Sequence, residues 1–179
     1  MPVKIIEICT IQQYTRHIGG TMHYFFTKED FDALNQEILA CCDRIKDAAR
    51  EMALSCQEGA DTFHDNFAYE QGERDQMMWS NRVRELIRIR NNVKIITLGP
   101  NDGRVSIGRI VQIRDLNSGE IQIFKVGSYM VFDNEEESDL PIFSYEAQLL
   151  KTLIDAKVGE EREVSLGGKK HRFVVVKIE

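Results

Sequence analysis

The sequence predicts an α+β protein in which an N-terminal antiparallel helical hairpin, a coiled coil, is followed by a small β-rich domain with one helix. Three observations predict it. Two apolar stripes run at helical spacing between residues 27 and 98. A helix-breaking segment follows, Gly99-Pro100-Asn101-Asp102-Gly103, and beyond it come short alternating apolar runs.

The first stripe passes through Phe31, Leu34, Ile38, Cys41, Ile45, Ala48 and Met52, in alternating steps of three and four that set these residues along one seam. Thr27 is the expected N-cap, with Glu29 and Asp30 in the first turn near the positive end of the helix dipole. Gln57-Glu58-Gly59-Ala60-Asp61-Thr62 carries the residues of a turn. The second stripe follows at Tyr69, Gly72, Gln76, Trp79, Val83 and Leu86, and Met77 and Met78 beside Trp79 read as further seam residues. Each helix needs a partner for its stripe, so the two fold back on one another. Arg82, Arg84, Arg88, Arg90 and Lys94 form a basic side of the second helix, read as a solvated face pairing with acids of the first.

Beyond the break, alternating runs at 110–114, 121–126, 129–132, 162–166 and 172–178 predict strands, with Gly167-Gly168 as a hairpin turn. Between them, Ala147, Leu150 and Ile154 stand at helical spacing within 144–155, so one short helix is expected to cover the sheet. The organisation is therefore an N-terminal extension of unknown role at 1–26, a hairpin at 27–98 and a sheet domain at 103–179. Within the extension, residues 3–8 suit a strand, added to the sheet edge or laid along the helices, and both placements stay open.

Composition narrows the function. The chain has 179 residues, 42% hydrophobic and 29% charged, as folded chains do. With 29 acidic against 23 basic residues its formal net charge is −6, which leaves little counterion release to drive binding to free DNA. No stretch reaches the ~18 apolar residues of a membrane span, and residues 1–20 lack the features of a signal peptide, so a cytoplasmic location is expected. Cys9, Cys41, Cys42 and Cys56 are expected to be reduced, and their spacing does not make a zinc site. His171, between Lys170 and Arg172, has no evident acid or nucleophile partner and is expected to be exposed.

Three stretches carry a resemblance to the Gre family of bacterial transcript-cleavage factors. The segment from Thr27-Lys28-Glu29-Asp30-Phe31 to Glu37-Ile38-Leu39 is similar to the family's opening helix. The turn from Gly59 through Asp61, Asp65 and Asn66 to Tyr69 is similar to its tip pattern of Gly-Asp, two residues, Glu-Asn, any residue, an acid and Tyr. Val158-Gly159-Glu160-Glu161-Arg162-Glu163-Val164 with Gly167-Gly168 resembles the end of its FKBP-like domain. The resemblance implies a cofactor of RNA polymerase rather than an enzyme by itself. Its hairpin would enter the polymerase secondary channel, and Asp61 and Asp65 would help to hold a magnesium ion shared with the polymerase, none being bound tightly by the chain alone. Asn66 and Tyr69 would shape the tip, and Ala147, Gln148 and Leu149 would contact the polymerase. The nascent RNA would be met only inside that complex. Carboxylate oxygens suit magnesium, and two metals can clamp the attacking and leaving oxygens of a phosphodiester.

The chain departs from the family pattern both at the tip and in the second domain. Asp61 and Asp65 stand four residues apart, where the family acids stand three apart. The second acid is Asp rather than Glu, Ala68 replaces the acid before Tyr69, and bulky Phe63 and Phe67 flank the loop. In the second domain Ala147-Gln148-Leu149-Leu150 replaces a Ser-Pro helix start, and Asp155 replaces a glycine. These departures keep open a channel-binding regulator that lacks cleavage and competes with Gre factors. From other classes come a prolyl isomerase built on Phe124, Tyr129, Phe132 and Phe143, and a coiled-coil adaptor.

Overall fold

A computed structural model of the chain describes residues 23–58, 66–132 and 140–179. Described residues 23–31 join Val93–Glu179 in one compact unit, and Asp32–Asn92 form the other.

The Asp32–Asn92 unit consists of most of α1 (Lys28–Glu58) and all of α2 (Phe67–Arg90). At 1.5 Å per residue α1 is about 45 Å long. The first stripe is the packed face: Leu34, Ile38, Cys41 and Ala48 are buried and Ile45 and Met52 half-buried. Helix α2 buries Gly72, Leu86 and Ile89. Partners run in opposite order along the two helices. Ser55 meets Asn66, Met52 and Ala48 meet Gly72, and Arg44 meets Trp79, which makes the pair antiparallel.

Two seam assignments differ from the sequence reading. Met77 and Met78 are 65% and 51% exposed, because they fall between the inward positions Gln76 and Trp79 and point away from α1. The Arg44 guanidinium caps the Trp79 ring at 4.3 Å, so the half-buried indole carries a cation. The basic side of α2 does not pair with α1. Arg82 bonds Glu85 of its own helix at 3.0 Å, and Arg84, Arg88 and Arg90 make no ion pair among the described residues.

The other unit holds a five-stranded sheet of β3 (Ile110–Asp115), β4 (Ile121–Gly127), β5 (Ile142–Ser144), β6 (Glu161–Leu166) and β7 (Lys169–Ile178), in the order β5-β4-β3-β7-β6. Only the β4–β5 pair is parallel. One face carries Val111, Ile113, Phe124, Val126, Val164, Phe173 and Val175 into a core closed by Leu150 and Leu153 of α3 (Gln148–Leu153). Each fully buried leucine stabilises the unit by roughly 2 kcal/mol. Gly167 and Gly168, at φ +56 and +79, form the two-residue turn expected between β6 and β7.

A separate parallel pair, β1 (Tyr24–Phe26) with β2 (Val93–Ile95), belongs to this unit. Residues 24–26 are thus a strand rather than an unassigned extension, and the break between helical and sheet residues falls at Asn92/Val93, ahead of Gly99. The strand expected at 3–8 lies outside the described residues.

No strand forms at 129–132. Ser128 accepts a hydrogen bond from the Thr27 backbone N–H at 2.9 Å and its hydroxyl donates to Asp30, which draws the chain off the β4 line. The Tyr129 N–H then bonds the Phe25 carbonyl at 3.1 Å, and β5 takes the sheet edge instead. Thr27 is the N-cap that the sequence predicts: Oγ1 accepts from the Asp30 N–H at 3.2 Å and donates to Asp30 Oδ2 at 2.9 Å. Helix α3 is shorter than 144–155, since Ala147 has ψ 140 and Asp155 has φ +65, so neither end is helical. Among the described residues, no helix is long and apolar enough to cross a membrane.

Candidate functional site at the hairpin tip

The described part of the tip is organised by Asn66. Its Oδ1 accepts from the Tyr69 backbone N–H at 3.1 Å, which caps α2, and its Nδ2 donates to the Ser55 carbonyl at 3.0 Å. One short amide thus joins the last turns of α1 to the first turn of α2. Tyr69 is 37% exposed and so belongs to the tip surface rather than to the seam. Phe67, the first residue of α2, is 72% exposed, and the Arg74 guanidinium lies over its ring at 5.8 Å. Glu70 stands in the same first turn, 3.6 Å from Arg74.

Asp61 and Asp65, the two acids singled out in the sequence, lie outside the described residues. Among the described residues, no group of three His, Cys, Asp or Glu side chains is placed to hold a metal. Carboxylate pairs suit magnesium, but two acids leave most of its six positions to water or to another molecule.

Cys41, Cys42 and Cys56 are free thiols. Burial pushes the Cys41 thiol up, reinforced by the Glu37 carboxylate that its Sγ reaches at 3.4 Å, so it is a core residue rather than a nucleophile.

In the sheet unit, Ala147 is the N-cap of α3, exposed Gln148 donates to the Ser165 carbonyl at 2.5 Å, and Leu149 packs half-buried against the core. The aromatic residues do not converge on one pocket. Phe124 packs edge-on against Phe143 at 5.4 Å, while Tyr129 faces Tyr24 at 4.3 Å and Phe26 at 6.4 Å.

His171 has a partner that the sequence did not reveal. Its Nδ1 lies 3.0 Å from Oδ2 of buried Asp115, and its ring stacks on Phe173. The hydrogen bond from His171, joined by the Asn117 backbone N–H at 2.7 Å, holds the Asp115 carboxyl below the usual carboxylate range. This pair staples β3 to β7.

A family model described as transcription elongation factor, GreA/GreB, C-term, matches residues 100–179. The transcription elongation factor GreA of Mesomycoplasma hyopneumoniae (strain 7448) is 32% identical over 142 residues, which cover 79% of this chain and 81% of that protein. The chain belongs to the GreA/GreB family. The GreA of Thermotoga neapolitana is 27% identical over 152 residues, covering 85% of this chain and 94% of the relative. Among solved structures, the transcription factor Gfh1 is similar at 20% identity and a TM-score of 0.41, over 88% of this chain and 97% of that one. The Asn66 clasp and the exposed Phe67 lie at the end of the hairpin.

Proposed function

We propose that this Gre-type elongation factor binds bacterial RNA polymerase, inserts its hairpin into the secondary channel and stimulates cleavage of backtracked transcripts. Family membership supports this reading, together with an antiparallel hairpin whose end is clasped by Asn66. The chain acts as a cofactor of the polymerase site, and is not an enzyme by itself. Asp61 and Asp65 would hold a magnesium ion shared with the polymerase, which when bound supplies water activation at the scissile phosphodiester. Asn66, the residue after Asp65 in sequence, fixes where α2 begins. Ala147, Gln148 and Leu149 form the polymerase contact of the sheet unit. The nascent RNA is met only within the complex, and the factor works in the cytoplasm.

Stalled, backtracked polymerase incubated with the protein and magnesium tests the reading. Shortened transcripts above the polymerase's own rate are expected, and Asp61→Ala with Asp65→Ala should abolish the stimulation while polymerase binding persists. A second reading, a channel-binding regulator without cleavage, is favoured by the four-residue spacing of Asp61 and Asp65 and by Ala68 in place of an acid. Binding without any transcript shortening would select it.

A further inference from the structure

We infer that Phe67 is a stacking platform for a nucleobase of the displaced RNA inside the polymerase complex; the inference rests on the polymerase-binding reading above. The ring is 72% exposed at the first position of α2. The cap at this helix start comes from Asn66, and the ring contact that Phe67 makes among the described residues is with Arg74 of its own helix.

The neighbours identify the occupant. The Arg74 guanidinium lies over the ring at 5.8 Å, and Arg74 in turn lies 3.6 Å from Glu70 and donates to Gln71 at 3.2 Å. Seating Phe67 in an apolar protein pocket would bury this charged group beside it, and stripping water from such charges is unfavourable unless each is paired again. A base that stacks on the open face of the ring leaves Arg74 and Glu70 in water. It also brings a phosphate chain toward the guanidinium. Aromatic rings and guanidinium planes are the surfaces on which unpaired bases stack, with little preference for sequence.

The test uses the full chain, Phe67→Trp and Phe67→Leu. Affinity is measured for RNA polymerase without transcript and for backtracked complexes that carry 2-aminopurine at the RNA 3′ end. The wild-type protein and Phe67→Trp are expected to bind backtracked complexes more tightly than transcript-free polymerase and to quench the 2-aminopurine. Phe67→Leu is expected to lose that preference by about tenfold and to lose the quenching, with affinity for transcript-free polymerase unchanged. Retention of preference and quenching by Phe67→Leu overturns the inference. So does equal weakening toward both forms of polymerase, which would mark an apolar protein pocket. A wild-type chain that binds polymerase but neither prefers backtracked complexes nor quenches overturns the inference alone. Failure to bind polymerase at all removes the reading beneath it as well.

Discussion

Asn66 donates from Nδ2 to the carbonyl oxygen of Ser55 at 3.0 Å, so the residue that starts α2 also holds the end of α1. The same side chain caps α2 through Oδ1. Asn66→Ala removes both bonds, and the hairpin is expected to lose about 1–2 kcal/mol. Asn66→Asp keeps an acceptor for the cap but lacks the donor, and an intermediate loss is expected. The chain has a single tryptophan, and Trp79 lies in the hairpin unit, so its fluorescence during denaturant unfolding reports on that unit. Equal stability of the Ala and Asp variants would show that the bond to Ser55 contributes nothing.

Gly72 lies where the two helices approach closely. A Cβ built there would stand 2.4 Å from Met52 Cγ and 3.3 Å from the Ala48 carbonyl oxygen. Helix propensity favours Ala over Gly by about 1 kcal/mol, but forced overpacking costs about 1–3 kcal/mol. Gly72→Ala should therefore destabilise the hairpin. The same substitution in a Met52→Ala background should be neutral or stabilising, because the obstructing side chain is gone. A double-mutant cycle measures this coupling, and additive effects would contradict it.

Asp155 holds φ +65, a backbone region that costs a non-glycine residue about 1 kcal/mol. Its N–H bonds the Val105 carbonyl at 3.0 Å and its carbonyl accepts from Arg104 at 3.4 Å, so the conformation is fixed from both sides. Asp155→Gly should exceed Asp155→Ala in stability by about 1 kcal/mol in chemical denaturation. The reverse order would mean that the backbone relaxes there without penalty.

Asp115 makes stability depend on pH. Its carboxyl is held below the ordinary value by the His171 hydrogen bond first and by the Asn117 N–H next. A depressed folded-state value contributes stability that is fully present above the unfolded value, about 3.9, and is lost as pH falls through the folded one. Asp115→Asn should thus lower the melting temperature most above about pH 4, and the gap to wild type should close in more acidic solution. A gap of constant size down to pH 2 would remove the ionised carboxylate as its source.

What could be read from the sequence was local. The stripe from Phe31 to Met52, the Thr27 cap and the Gly167-Gly168 turn each depend on residues a few positions apart, and each forms as expected. Pairings between distant residues left no periodic trace. His171 and Asp115 are 56 residues apart, and the strand Tyr24–Phe26 is completed only by Val93–Ile95 from beyond the hairpin. A short apolar run such as 129–132 looks like a strand until a side-chain bond draws it away, here the bond between Ser128 and Thr27. At the candidate site, the sequence named Asn66 and Tyr69 but did not reveal that Asn66 reaches Ser55. Asp61 and Asp65 rest on the family pattern, being outside the described residues.

The parallel pairing of Tyr24–Phe26 with Val93–Ile95 brings the chain's departure into the hairpin and its return from it side by side. The hairpin is a closed detour whose two feet are fixed to each other. Adding or removing seven residues from each helix together keeps the seam in phase and changes the length of the hairpin by about 10 Å. The length of the hairpin is thus written in its own two helices.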